Sequence, residues 1–295
     1  MFEVEELTLY PMNFKEFLMA AGEQDLAVFT DDYRNNLVSE LSERYRFLLK
    51  QYLVVGGMPE VVNSFVSFKD YDIVREKQLA IVNQYEGDFG KHINAKDLPR
   101  IRMTWQSIPL QLAKENKKFF FGQIKKGARM SDFETAIEWL CNAGLVHKVH
   151  LVSKPGHPLK AYIDFSAFKL FLVDVGLLGA LSELDPQSIL SGNDIYEEFK
   201  GAIAEQYVLQ ELIACEKYSL YYFSEDKSRY EVDFLIQKGK DIVPIEVKAE
   251  DNLKAKSLKF YCEKYKPALA VRTSCAKMRE QEWMVNIPLW AIASV

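Results

Sequence analysis

Apolar residues at Phe14, Phe17 and Leu18 recur at helical spacing, after a short alternating stretch at Leu7 and Leu9 that Pro11 breaks. This pattern predicts a brief strand followed by a helix. Elements so short cannot bury themselves, so the segment reads as the edge of something larger or as a strap laid across the next unit. Residues 37–92 keep a helical period: one helix over 45–53, a break at Gly56-Gly57-Met58-Pro59, and a long helix around 73–85. A further helix begins near Ile101 and ends around Lys117. Ser131-Asp132-Phe133-Glu134 reads as a capping box that opens a helix with Phe133, Ile137 and Leu140 on one face, and Gly144 closes it.

Two apolar segments follow, 145–152 and 162–165, separated by Ser153-Lys154-Pro155-Gly156-His157-Pro158. Helices followed by a turn-linked strand pair are the ingredients of a winged helix. The last hundred residues predict a helix over 196–215, strands over 218–223, 230–236 and 242–247, a helix over 253–264, and strands over 268–272 and 288–293. That order describes an α/β unit. The expected layout is a terminal strap or remnant (1–25), a helical segment (26–100), a winged-helix domain (101–190) and an α/β domain (191–295).

The 295 residues are 48% hydrophobic and 27% charged with only 14 Gly and 10 Pro, which excludes collagenous and wholly disordered classes. Four cysteines without CxxC pairing and four histidines without ligand spacing argue against a disulfide framework or structural zinc site and fit a reduced, cytoplasmic setting. The best membrane candidate, 165–181, is interrupted by Lys169 and Asp174, and the acidic N-terminus lacks the basic start of a signal peptide. No membrane association is expected. The net charge of −5 means that any nucleic-acid surface must be local.

Candidate chemistry centres on 230–248. A turn at Gly239-Lys240 puts Asp233 opposite Glu246, and strand alternation sets Glu246 and Lys248 on one face with Val243, Ile245 and Val247 on the other. Like charges facing each other at ~4.5–5.5 Å between Cβ atoms destabilise a sheet, so the acid pair calls for a cation, which Mg²⁺ would supply. Lys248 then positions or deprotonates a water, or neutralises charge on a phosphoryl oxygen. A surface hairpin with a weak ion-pair cluster accounts for the same spacing.

Asp233 and, twelve residues later, Ile245-Glu246-Val247-Lys248 resemble the metal-binding core of the PD-(D/E)XK nuclease superfamily. Almost the whole chain resembles the C-terminal region of prokaryotic AAA-type ATPases that end in a winged helix and a restriction-endonuclease-like domain. The resemblance is carried by residues 7–17, the Gly56-Gly57-Met58-Pro59 break, 131–145, Gly201 through Glu205 to Leu212, and Glu231-Val232-Asp233-Phe234. It implies that Asp233 and Glu246 are metal ligands, that Lys248 is the catalytic lysine, and that Glu205 is the acid supplied by the first helix. Such domains can also lose catalysis and keep the scaffold, so a non-catalytic assembly or regulatory module of an AAA-type ATPase stands as the alternative. No GxxxxGK[ST] loop occurs; in Gly122-Gln123-Ile124-Lys125-Lys126-Gly127-Ala128-Arg129 an alanine replaces the phosphate-binding lysine. No ATP site and no ATP hydrolysis are expected, and the chain reads as a truncated product, a degenerate relative or a fragment.

Two segments bear on DNA or other nucleic acid. The helix from Ser131 exposes Asp132, Glu134 and Glu138 and no cation, the wrong sign for a major groove, so it packs or binds protein. Lys117, Lys118, Lys125, Lys126 and Arg129 before it either touch phosphates or form a solvated loop. Residues 252–279 carry eight basic residues against Glu263 alone; of these Lys254, Lys256, Lys259 and Lys264 are the candidate backbone contacts, and a solvated lysine face is the other reading. A protein partner or self-association is the remaining expectation.

Overall fold

A computed structural model describes residues 7–91, 93–94, 96–114, 117–191, 197–225, 229–249 and 255–295. Helices α1 (Phe14–Ala20), α2 (Gln24–Phe29), α3 (Asn36–Glu40), α4 (Ser42–Val55), α5 (Pro59–Phe68), α6 (Tyr71–Asp88), α7 (Leu98–Leu112), α8 (Phe121–Ile124) and α9 (Met130–Asn142) come first. Strands β1 (Val146–Val152) and β2 (Ile163–Leu172) lead to α10 (Val175–Leu181) and α11 (Pro186–Ser191). The chain continues through α12 (Glu197–Ala214), β3 (Tyr221–Glu225), β4 (Tyr230–Lys238), β5 (Asp241–Val247), α13 (Lys256–Tyr265), β6 (Val271–Ser274), β7 (Arg279–Glu280) and β8 (Val285–Pro288). It is a mixed α/β protein with one eight-stranded mixed sheet in the order β2-β1-β3-β4-β5-β6-β8-β7.

The N-terminal helix forms where the apolar spacing puts it. Phe14, Phe17 and Leu18 are fully buried, and Asn13 caps α1 in a reciprocal capping box with Glu16. The expected strand at Leu7 and Leu9 does not form: both side chains are about 85% exposed, and no partner strand reaches them among the described residues. A strap does exist. Met12 N–H donates to Gly57 O at 2.7 Å, and Gly57 is required there because a Cβ would lie 2.0 Å from Met12 O.

Helix α9 begins one residue before Ser131. Its cap is Arg129, whose backbone N–H donates to Asp132 Oδ2 at 2.8 Å, so the acid used is Asp132 and not Glu134. Its end is as the pattern reads: Gly144 sits at φ 71°, its N–H bonds Cys141 O, and Leu145 N–H bonds Leu140 O, a Schellman motif. Strand β1 follows at once, pairs antiparallel with β2, and on its other edge pairs parallel with β3. The connection 153–158 is held against the β4–β5 turn, where His157 Nε2 lies 3.2 Å from Gly239 O. The strand pair that resembles a wing is therefore continuous with the C-terminal sheet.

At the end of the chain the expected strand over 288–293 is a 3₁₀ helix, Leu289–Ser294; β8 ends at Pro288, whose ring has no N–H to carry the ladder onward. Trp290 of this helix stacks on Tyr45 of α4 with ring centroids 5.8 Å apart. One buried cluster accordingly runs from Phe14 to Val295. No helix among the described residues is long and apolar enough to cross a membrane.

Candidate functional site: a lysine-compensated carboxylate cluster

The β4–β5 hairpin has the register read from its turn: Phe234 pairs with Ile245, Leu235 with Pro244, and so on to Lys238 with Asp241 around a turn whose Gly239 is at φ 60°. One further step sets Asp233 beside Glu246. The chain is pinned there by Val247 N–H donating to Asp233 Oδ2 at 2.7 Å and by Lys248 N–H donating to Thr273 O at 2.8 Å. Val243, Ile245 and Val247 enter the main core, which leaves Glu246 and Lys248 on the other face, and Lys248 Nζ lies 2.7 Å from Glu246 Oε1.

Helix α12 brings in the fourth residue. Its apolar side, with Ile203, Tyr207 and Val208, is fully buried, while its polar residues reach other segments. Gln206 holds both backbone groups of Leu172, Gln210 accepts from Val175 N–H, and Glu211 accepts from Phe14 N–H at 2.7 Å. Glu205 on the same helix shares a side-chain hydrogen bond with Asp233. Glu205, Asp233, Glu246 and Lys248 thus come together from α12, β4, β5 and the residue after β5.

Three charged residues that the sequence reading had not assigned to the site complete it. Lys169, on β2 and fully buried, lies 2.6 Å from Glu231 Oε1 and 3.6 Å from Glu205 Oε2. Lys117, after α7, pairs with Glu205 Oε1. Glu231 is the fourth acid. A single charge within the apolar run Ala167-Phe168-Lys169-Leu170-Phe171-Leu172 was the available signal, since a lysine there is buried only if paired. Lys117 carried none, because its partner is 88 residues away.

Burial would raise the Glu205 carboxyl, but Lys117 and Lys169 outweigh it and hold it below the usual carboxylate range. Asp233 goes the other way. Loss of water and the neighbouring Glu205 and Glu246 charges push it well above that range. Burial raises Glu246 against the pull of Lys248. Burial would lower Lys169 and Lys248, yet the surrounding carboxylates raise both and keep them charged. Glu205, Glu231, Asp233 and Glu246 thus face Lys117, Lys169 and Lys248.

Two carboxylate oxygens here, Glu246 Oε2 and Glu205 Oε2 with Lys169 3.6 Å away, are buried and have no hydrogen-bond partner among the described residues, which suits a divalent cation. The rest of the set does not fit Mg²⁺ as arranged. That ion needs a near-ideal octahedron of oxygens at about 2.0–2.1 Å, whereas ammonium groups already take lone pairs of Glu205 and Glu246 and Val247 N–H takes one of Asp233. No three acid, histidine or cysteine side chains among the described residues are grouped to hold a metal. In this arrangement the cluster's acids are ion-paired with its lysines.

The basic segment is only partly a surface. Lys256, Lys259 and Lys264 on α13 are exposed, but Lys264 pairs with Glu225 and Lys259 lies 3.9 Å from Glu263. Arg272 is 1% exposed and donates from Nε to Asn286 Oδ1, so it belongs to the interior. Lys254 lies outside the described residues. On the central segment, Lys117 faces Glu205 and not solvent, while Lys125 and Lys126 line a cleft of about 400 Å³ with Lys96, Arg100 and Asp132. Asp132, Glu134 and Glu138 of α9 are exposed, and Phe133, Ile137 and Leu140 are buried.

Comparison with known proteins separates the two sides of this cluster. Residues 46–188 match a domain of unknown function (DUF8612), and residues 200–292 match a second (DUF4143), a domain commonly found in AAA-ATPase-associated proteins. Lys117 and Lys169 lie in the first, and Glu205, Glu231, Asp233, Glu246 and Lys248 in the second. No curated protein and no solved structure matches the chain.

Proposed function

We propose that this chain is an assembly or regulatory module of an AAA-type ATPase system, built on a winged-helix and restriction-endonuclease-like scaffold whose carboxylate centre is neutralised from within. The observation that carries the reading is the pairing of Glu205 with Lys117 and Lys169, two ammoniums delivered by the neighbouring region to the position a cation would fill. The occurrence of the 200–292 domain in AAA-ATPase-associated proteins supports the partner class. The test is incubation of the purified chain with single- and double-stranded DNA and millimolar Mg²⁺ or Mn²⁺. The reading predicts no metal-dependent cleavage and no difference between wild type and Glu246→Gln. Cleavage that needs metal and disappears in Glu246→Gln contradicts it.

A second reading, Mg²⁺-dependent phosphodiester hydrolysis, draws on the convergence of Glu205, Asp233, Glu246 and Lys248. In it Asp233 and Glu246 hold the metal and Lys248 activates water, which requires Lys117 and Lys169 to withdraw from Glu205. DNA would then run along the exposed Lys256 and Lys259 of α13.

A further inference from the structure

The carboxylate cluster is closed by two lysines of different kinds. Lys169 is fully buried in a strand, whereas Lys117 is 12% exposed at its side chain and sits on the connection between α7 and α8. Both belong to the 46–188 region, and every acid they meet belongs to the 200–292 region. An ammonium beside a buried carboxylate repels any second cation from the same oxygens, so each lysine both neutralises the acids and excludes a metal. Lys117 is the outer of the two, and it covers Glu205, the acid already hydrogen-bonded to Asp233. Lys248 stays on the far side, engaged with Glu246.

We propose that Lys117 is a plug: its ammonium keeps hard divalent cations such as Mn²⁺ or Mg²⁺ off the carboxylates of the Glu205–Asp233–Glu246 cluster. This rests on the reading of the chain as non-catalytic in its present arrangement and adds what holds it so. The orphaned Glu246 Oε2 is the second observation that points to a cation, because a buried carboxylate oxygen without a donor gains most from a metal. With Lys117 replaced by an uncharged side chain, Glu205 keeps Lys169 at 3.6 Å from Oε2 but loses the cation on its Oε1 side. The connection carrying Lys117 thereby makes cation binding by one region depend on how the other is seated.

Calorimetric titration with Mn²⁺, the wild type against Lys117→Met, tests this. The proposal predicts that Lys117→Met binds Mn²⁺ at least about tenfold more tightly than wild type, the scale of removing one unit charge a few ångströms from the ion. It also predicts that Lys117→Met/Glu205→Gln returns to the wild-type affinity or weaker. Equal affinities for wild type and a folded Lys117→Met overturn it. Where Lys117→Met fails to fold, the double variant decides: recovered cooperative unfolding supports neutralisation as the lysine's role, and no recovery overturns it. Wild type that binds Mn²⁺ as tightly as Lys117→Met yet cleaves no DNA removes the plug and leaves the non-catalytic reading. Cleavage by a wild type with the weaker affinity does the reverse.

Discussion

Lys169 is the residue on which the cluster's electrostatics turn, because it is wholly buried and meets Glu231 and Glu205 at once. Removing one member of a buried ion pair leaves the other charge uncompensated at a cost of about 3–5 kcal/mol, more than the pair contributes over an apolar replacement. Lys169→Met is therefore expected to lower the urea midpoint strongly, and Lys169→Met/Glu231→Gln to recover much of the loss. Equal midpoints for the single and double variants would show that the pair is not what holds Lys169. A second buried acid behaves oppositely. Glu211 accepts from Phe14 N–H deep in the core, and burial raises its carboxyl to about 8. A folded-state value above the unfolded one (about 4.3) means that its stabilisation is fully present below that unfolded value and is lost as pH rises through about 8. Glu211→Gln should flatten the fall in stability between pH 5 and 9, measured by urea unfolding across that range. An unchanged slope would assign the fall to other groups.

At the scale of elements, the N-terminal strap is tied to the helical break at Gly56-Gly57. Met12 bonds Gly57 O, Tyr52 Oη donates to Met12 O, and Asp174, fully buried, accepts from Gly57 N–H at 2.6 Å while capping α10 through Leu177 N–H. Gly57→Ala puts a methyl 2.0 Å from a backbone oxygen that has no room to move. The strap is expected to detach, so limited proteolysis should cut near residues 11–14 in the variant and spare that stretch in wild type. Equal protection in both would mean that the strap is held by Phe14 and Phe17 alone. The break itself was legible in sequence as a helix terminator, as were the β4–β5 register and the Gly144 end of α9, because each is set by local dihedral demands. The strand at Leu7 and Leu9 was misread because alternation without a partner strand makes no ladder.

For the whole molecule, what could not be read from sequence is what joins its parts. Strand β1 gains its parallel neighbour β3 some seventy residues on, and no local period records such a pairing. Likewise Glu205, Asp233, Glu246 and Lys248 were marked by motif, but Lys117 and Lys169, which pair with Glu205, come from another region and were marked only as a loop cation and as a charge in an apolar run. The resulting claim is that two lysines stand where a catalytic metal would, and it is tested most directly by crystals of the wild-type chain grown with millimolar MnCl₂ and measured for anomalous scattering. The account predicts no manganese peak among Glu205, Asp233 and Glu246, with Lys117 and Lys169 ammoniums against Glu205. A peak bonded to Asp233 and Glu246 with Lys117 swung away would contradict it.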